Sequence, residues 1–209
     1  MTKTKKTIAI ILSTILLVIS LIFILYYSYF YPKVPVTTID SEIYSKNIDI
    51  LKKFSLDNFS LSLKNKSIQS TVVLTDDDLT DLIIISLKKN SNLDEYITGA
   101  KVYIENDYIN LYVNLKYKNI PLSSKFTFNL NSEKGHAILH YVKGKLGFIS
   151  IPKEFIFSRL KNNSIIKFDE NNGNILLSLN NINKYLSISN AFVSENKIYL
   201  TISGSLKFD

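Results

Sequence analysis

The chain contains no cysteine and only two histidines. Without cysteine it can form neither a disulfide framework nor a thiolate metal site, so an exported domain must be held together by its core alone. On one strand, His136 and His140 would stand about 13 Å apart, too far to bind a single metal ion. No G-x-S-x-G motif accompanies the many serines. We therefore expect no metal, no cofactor and no enzymatic activity.

Charged residues are absent from one long stretch, Thr7 to Tyr31. At about 1.5 Å per residue, a helix of this length crosses the roughly 30 Å hydrocarbon core of a bilayer with room for tilt. We interpret residues 7–31 as a transmembrane signal anchor and residues 1–6 as a cytoplasmic N-terminus. Positions along the anchor that would lie in the membrane are Ile8, Leu16, Phe23 and Tyr31.

The distribution of charge predicts the orientation of this anchor. Three lysines lie within residues 1–6, whereas the segment after the span has Lys33 and then the acidic Asp40 and Glu42. The positive-inside rule therefore places the C-terminal domain outside the cell membrane of a single-pass protein. A cleaved signal peptide is the alternative. Its apolar region would be shorter and end in small residues, whereas this one ends in aromatic residues typical of a membrane interface.

Residues 32–58 are interpreted as a linker or stalk. Pro32 and Pro35 favour extended backbone, and the apolar spacing from Thr38 to Phe54 predicts an amphipathic helix. Of the formal net charge of +7, the three N-terminal lysines supply three units and the remaining four are dispersed. This small surplus favours an anionic surface only weakly, and beyond a membrane it gives no reason to expect nucleic acid as a partner.

Residues 59–209 are predicted to form one domain. Extended runs at Phe59–Leu63 and Ile68–Leu74 lead to a well-marked helix from about Asp76 to Lys89. Thr75 is a suitable N-cap with an acid three residues later, three aspartates lie at the positive end of the helix dipole, and lysines close the other end. Apolar residues, Leu82 and Ile83 among them, cover most of its circumference. This pattern predicts a helix that is covered on several sides.

Alternating apolar and polar residues predict the strands that follow. The pattern is strict from Tyr108 to Lys118 and recurs in Phe126–Leu130 and Glu195–Asp209, and Gly135–Ser150 is a longer extended run. Turn residues between these runs indicate an antiparallel meander, and Pro152 begins a second, shorter helix that reaches about Lys161. We predict an α+β fold, in which a curved antiparallel sheet packs around one long and one short helix.

Two segments carry a resemblance to a known family. With the helix sequence LTDDDLTDLI before the sheet, and the pattern G-x-L-x-x-x-x-I-P from Gly144 to Pro152 entering the second helix, the chain resembles the YpmS family of Gram-positive membrane-anchored proteins. The resemblance runs from about Val72 to the C-terminus. It implies a single-pass protein that faces outward, with a helix held by a curved sheet as in lipid-binding TULIP-like folds, and it implies no known catalytic residue.

Large apolar side chains concentrate where the predicted strand meets the second helix, and these define the candidate site. A closed core is one interpretation, and a groove for an acyl chain or for a partner's apolar segment is the other. The predicted contact residues are Leu82, Ile83, Leu146, Phe148, Ile151, Phe155, Ile156 and Leu160.

Three functions remain open. The first is a non-enzymatic, extracytoplasmic binding module for lipid or an apolar cell-envelope precursor. The second is a scaffold or regulatory protein for another envelope enzyme, with contacts on a strand edge. The third is a lysine-bearing face that binds wall polyanions, with an affinity that falls steeply as salt rises.

Overall fold

The computed structural model describes residues 3–39, 60–62, 67–88, 96–158, 160–162, 166–179 and 186–205. Helix α1, Lys3–Leu25, opens the chain and continues into one π-helical turn, Tyr26–Phe30. The helix is long and apolar enough to cross a membrane, and none of its residues is buried. The core helix of a soluble protein would be covered by its own fold, so this exposure argues against such a role.

Within the described ranges, the remaining elements form two antiparallel sheets and two further helices. The strands are β1 (Thr37–Thr38), β2 (Ser60–Ser62), β3 (Ser67–Leu74), β4 (Ile97–Glu105), β5 (Tyr108–Tyr117), β6 (Ile120–Glu133), β7 (His136–Leu146), β8 (Ile149–Ile151), β9 (Ile166–Asp169), β10 (Asn174–Ser178), β11 (Leu186–Ser194) and β12 (Lys197–Ser205). The helices are α2 (Asp76–Lys88) and α3 (Lys153–Phe157).

The larger sheet has the strand order β1-β4-β5-β6-β7-β10-β9, and β8 pairs with β7 beside this path. Its strands β5 to β7 are the first three strands of the predicted meander, and β4, which was not predicted, precedes them. The hairpin between β4 and β5 turns at Asn106 and Asp107, and the hairpin between β5 and β6 turns at Lys118 and Asn119, all four with positive φ. Turns of this kind match the right-handed twist of the flanking strands.

The smaller sheet, with the order β11-β12-β3-β2, departs from a single meander. Strand β12 pairs with β3, so that Leu200 lies opposite Val72 although 128 positions separate them in the chain. Alternation shows which residues of a strand share a face, but it does not show which strand lies beside it. The predicted curved sheet is therefore two sheets in this structure.

The core lies between these sheets. Buried residues of the smaller sheet pack with buried residues of the larger one, and the backbone N–H of Ile188 in β11 donates to the Gly135 carbonyl in the β6–β7 turn at 3.0 Å. The shared buried residues are Val72, Leu74, Val102, Ile104, Ile109, Ala137, Ile188, Ala191, Ile198, Leu200 and Ile202. Burial of this set stabilises both sheets together.

Helix α2 is confirmed almost to the residue, because its N-terminus is locally encoded. The Asp78 carboxylate accepts from the Thr75 backbone N–H at 2.8 Å, while the Asp78 N–H donates to the Thr75 hydroxyl at 3.2 Å. This reciprocal pair satisfies backbone donors that a helix start would otherwise leave unpaired. The helix then packs on β4, where Val102 N–H donates to the Thr80 hydroxyl and Ile84 is fully buried. Leu82, by contrast, is 37% exposed, so solvent reaches one side of the helix.

The amphipathic helix predicted from Thr38 to Phe54 does not begin where the spacing suggested. Thr37 and Thr38 form β1 and pair with Ala100 and Gly99 of β4, which suits β-branched residues at a sheet edge. The segment interpreted as a linker thus contributes a strand to the larger sheet. Positions 40–54 of the predicted helix lie outside the described residues.

The second helix is shorter than predicted. Pro152 is its N-cap and α3 ends at Phe157, whereas the prediction extended to Lys161. One side chain beyond the helix is used elsewhere, since the Asn162 Oδ1 accepts from the Phe168 backbone N–H of β9 at 2.7 Å. Side chains that bond nearby backbone in this way compete with continued helix.

Candidate functional site

The eight predicted contact residues lie in two groups. Leu82 and Ile83 belong to α2, which packs on β4, and the other six belong to β7, β8, α3 and the residues that follow α3. Strands β5 and β6 separate β4 from β7, a distance of about 14 Å across the sheet. The two groups therefore occupy different parts of the larger sheet.

The second group forms a surface that we call the apolar patch. Phe148 and Phe155 are 59% and 56% exposed, and Leu160 is also exposed, while the other three members are half-buried. The patch consists of Leu146, Phe148, Ile151, Phe155, Ile156 and Leu160. Its position follows from the β7–β8 hairpin, which pairs Leu146 with Ile149 and returns the chain directly into α3.

A hydrogen bond fixes the patch to the body of the sheet. The buried Tyr141 hydroxyl donates to the Ile151 carbonyl at the end of β8. Burial, with a smaller contribution from the Glu154 carboxylate, raises the pKa of Tyr141, so the hydroxyl keeps the proton that it donates. Gly144 permits this arrangement, because a Cβ there would lie 2.9 Å from Cδ1 of Phe126 and closer still to the hydroxyl.

Aromatic rings close the space beneath the patch. Tyr141 meets Phe128 at 5.8 Å and Phe157 at 6.3 Å between ring centroids, and Phe157 meets Phe168 at 6.3 Å, all edge to face. Such pairs stabilise beyond their area of burial. The rings thus pack Phe157 of α3 against Tyr141 of β7 and Phe168 of β9.

The last turn before the first strand packs directly beside this patch. The Phe148 ring lies 5.5 Å from that of Tyr29 and 5.2 Å from that of Phe30. Gly147 has a φ of +61°, and a Cβ there would lie 2.7 Å from Cε1 of Phe30. Position 147 therefore favours glycine for two reasons, the positive φ of its backbone and the close approach of the Phe30 ring.

A second contact joins the same turn to another hairpin. The Tyr26 hydroxyl donates to the Pro121 carbonyl in β6 at 2.8 Å. We call the end of the larger sheet formed by the β5–β6 turn (residues 117–120) and the β7–β8 turn (residues 147–148) the proximal end. The opposite end, with the turns at residues 106–107 and 134–135, is the distal end.

Sequence reasoning identified Phe148 but did not identify Gly147 or Pro121 as contacts of the N-terminal segment. The tyrosines of that segment indicated a membrane interface, and nothing in their spacing pointed to a partner in the domain. A glycine at position 147 is compatible with a turn or with the close approach of another side chain. The sequence does not show which side chain approaches it.

Of the histidines and aspartates considered in the sequence, His140, Asp76 and Asp78 have other partners in the described part of the chain. There, no group of three His, Cys, Asp or Glu side chains could hold a metal ion. The His140 Nδ1 lies 2.8 Å from the Asn174 Oδ1 across the β7–β10 pair. Asp76 and Asp78 cap α2 through bonds to backbone N–H groups.

Fold and site define the chain as an α+β protein with an N-terminal apolar helix and a domain built on antiparallel sheets. Comparison of the chain with protein-family models, with curated proteins and with solved structures gives no match.

Proposed function

We propose that this protein is a single-pass membrane protein whose C-terminal domain lies outside the cytoplasm and binds a lipid or an apolar envelope precursor without catalysing a reaction. The exposed surface of α1, which carries no charged residue from Thr7 onwards, supports the membrane span. The lysines at the start of the helix, before its apolar run, support a cytoplasmic N-terminus.

Contacts of the π-helical turn support an anchor that is retained. Phe30 covers Gly147, and Tyr26 binds the Pro121 carbonyl. Cleavage of a signal peptide after these residues would remove both contacts and expose the apolar surface of the β7–β8 turn to water. These contacts support an anchor that stays attached to the domain.

The location of the apolar patch is the observation that carries the binding proposal. Exposed apolar side chains that form a contiguous surface mark sites of interaction. Here Phe148 belongs to the patch and also touches Tyr29 and Phe30 at the end of the anchor. An amphiphile that leaves the outer surface of the bilayer beside the anchor would meet Phe148 first.

Membership of the YpmS family and a TULIP-like arrangement remain part of the proposal. The order of anchor, capped helix, antiparallel hairpins and short second helix supports them. Leu79 and Ile83 of α2 pack against the core between the sheets, and in this arrangement a lipid tail would approach the apolar side of a helix held by sheet.

Photo-crosslinking tests the binding proposal on the full-length protein in membranes. A diazirine analogue of palmitic acid should label residues 146–160, and Phe155→Asp should reduce that labelling about tenfold, as expected for the loss of about 1.4 kcal/mol of apolar contact. Phe192→Asp is the matched control, because Phe192 is also an exposed phenylalanine but lies on β11. Equal labelling of the two variants would overturn lipid binding at the patch.

A photoreactive residue at position 155 distinguishes the alternative function. Cross-links to lipid support the binding module. A discrete adduct with another envelope protein would instead support a scaffold or regulatory role, because exposed apolar surfaces also bind partner proteins.

A second candidate function, binding of a phosphate-rich envelope polymer, is favoured by a row of residues across the outer face of the larger sheet. Lys101, Tyr112, Lys125 and Lys145 lie directly opposite one another on four successive strands. Lys101 is paired with Asp77, but Lys125 faces Lys145, and opposed like charges destabilise a sheet. An anion between these two lysines would remove that repulsion.

Salt dependence tests this second candidate. Binding of inorganic polyphosphate should weaken steeply between about 0.1 M and about 0.5 M salt. The pair Lys125→Gln and Lys145→Gln should abolish it, whereas Lys197→Gln, at the exposed start of β12, should leave it unchanged. Equal binding by all variants would show that Lys125 and Lys145 do not bind the polymer.

A further inference from the structure

We propose that the proximal end of the larger sheet is itself seated in the interface of the bilayer, so that the domain docks on the lipid surface instead of hanging from a free linker. This inference rests on the membrane span in the proposed function. It goes further by assigning a second membrane contact to the β5–β6 and β7–β8 turns.

The contacts of the π-helical turn place both hairpins beside the membrane. Tyr26 and Phe30 lie in the last turn of the charge-free segment, where a spanning helix leaves the hydrocarbon core. Tyr26 contacts Pro121 and Phe30 contacts Phe148. The two turns of the proximal end must therefore lie at the level of the headgroups and the acyl boundary.

The order of these contacts also gives the direction in which the hairpins point. Tyr26 precedes Phe30 in the helix and so lies deeper in the bilayer, by about 5 Å for one helical turn. Strand β6 passes from Pro121 to Ser124 before it reaches the position opposite Leu146, so the β5–β6 turn extends beyond the β7–β8 turn. The turn that reaches farther is the one that contacts the deeper residue, and the β5–β6 hairpin points towards the membrane.

The side chains of the proximal end suit a lipid interface. Tyr117 and Ile120, which pair directly across the β5–β6 turn, are 57% and 49% exposed, and Phe148 and Ile149 are exposed on the neighbouring turn. Large apolar side chains at two adjacent turns are unfavourable in water. Tyrosine has an apolar ring and a polar hydroxyl, which is the chemistry that collects at headgroup level.

The charge of this end fits an anionic surface. Between Tyr108 and Ser132 the chain has three lysines and no acidic residue, and two of these lysines, Lys116 and Lys118, are exposed beside the β5–β6 turn. The Lys118 ammonium lies 5.6 Å from the centre of the Tyr117 ring. Lysines of this kind bury their alkyl stems along apolar surface and keep their charge among the headgroups.

Single-tryptophan reporters test the docking, because the chain contains no tryptophan. The full-length protein is reconstituted in vesicles of phosphatidylcholine and phosphatidylglycerol, with and without bromine on the acyl chains. We expect bromine to quench Ile120→Trp most strongly and Phe148→Trp next. The control is Tyr108→Trp, an exposed site at the distal end of β5, about 30 Å from Tyr117. We expect quenching of Ile120→Trp to exceed that of the control by roughly fivefold, since bromine acts only near the hydrocarbon core.

A fourth reporter, Leu16→Trp in the middle of α1, separates failure of docking from failure of the anchor. Quenching at Leu16 with no more quenching at Ile120 than at Tyr108 would overturn the docking and leave the membrane span intact. Absence of quenching at Leu16 would overturn both. Neither result depends on the ligand of the apolar patch.

The lysines provide a separate measurement. Replacing Lys116 and Lys118 by glutamine should reduce the quenching of Ile120→Trp about twofold in vesicles that contain phosphatidylglycerol, and change it little in phosphatidylcholine alone. An equal effect in both lipids would show that their charge does not contribute to docking.

Discussion

The two ends of the larger sheet have similar backbone turns and opposite side-chain chemistry. Two-residue hairpins with positive φ close both ends, at Lys118 and Asn119 proximally and at Asn106 and Asp107 distally. Tyr117 and Ile120 flank the proximal β5–β6 turn, whereas each distal turn is flanked by an acid, Glu105 opposite Tyr108 and Glu133 opposite His136. Turn geometry therefore does not explain the apolar proximal end. The neighbouring anchor does, because one end of the sheet meets lipid in our account and the other meets water.

The largest contrast should come from glycine at each end. Gly147 and Gly135 both have positive φ, so alanine at either position should cost about 1–2 kcal/mol of unfolding free energy. Only at Gly147 would the new Cβ also overlap the Phe30 ring, which adds about 1 kcal/mol. Urea unfolding of the full-length protein in detergent should rank Gly147→Ala as the less stable variant. Equal midpoints would mean that the anchor does not pack on the proximal end.

A charge placed at each end provides the next contrast. Phe148→Asp removes two ring contacts of the anchor, worth about 2 kcal/mol together, and should raise the rate of tryptic cleavage after Lys33 about thirtyfold. Tyr108→Asp places the same charge at the distal end and should leave the rate within about twofold. The fragment that begins at Val34 measures both rates. Similar acceleration by both variants would contradict the packing of the anchor on Phe148.

The link between the proximal end and the middle of the sheet should have a smaller effect. Tyr141→Phe removes the hydrogen bond to the Ile151 carbonyl and should lower the unfolding free energy by about 1 kcal/mol. Phe155 labelling by the palmitic acid analogue should fall in parallel as the patch loosens. Unchanged stability would show that the bond does not fix β8.

The same hydroxyl predicts a dependence on alkaline pH. Because burial raises the pKa of Tyr141 in the folded state, the unfolded state loses this proton first. Its contribution to stability is complete below about pH 10 and is lost as the pH rises above that value. The unfolding free energies of the wild type and of Tyr141→Phe should converge as the pH rises above about 10. A constant difference between them would exclude the linkage.

The smallest effect should arise at the β9–β10 turn, which belongs to neither end. Hydrogen bonds from the Asn172 side chain and backbone hold the pKa of Asp169 below its usual value. The resulting stability is present above about pH 4 and is lost as the pH falls through the lowered value. Because the site is solvated, Asn172→Ala should remove only a few tenths of a kcal/mol. Urea midpoints at neutral and acidic pH should show the difference only at neutral pH.

Local chemistry made some of the fold predictable. Thr75 and Asp78 are three residues apart and their mutual bonds form within one turn, so the start of α2 followed directly from the sequence. Strand β5 was equally predictable, because alternation of apolar and polar residues can be recognised without knowing which strands lie beside it.

Pairing over long distances could not be predicted. Nothing in the alternation of β12 indicates that Leu200 will lie opposite Val72, and so the division into two sheets was missed. Helical periodicity likewise placed Leu82 and Ile83 on an apolar stripe without showing that β5 and β6 would separate them from Phe148. The contact of Phe30 with Gly147 depends on the same kind of tertiary information.

The orientation of the chain across the membrane is the claim on which the account depends, and cysteine labelling tests it directly because the chain has no cysteine. Glu195→Cys lies in the exposed β11–β12 turn, and Thr4→Cys lies before the apolar run. On intact cells, a membrane-impermeant maleimide should label Glu195→Cys, and it should label Thr4→Cys only after the membrane is opened. Labelling of Thr4→Cys on intact cells, or protection of Glu195→Cys, would contradict a domain that lies outside the cytoplasm.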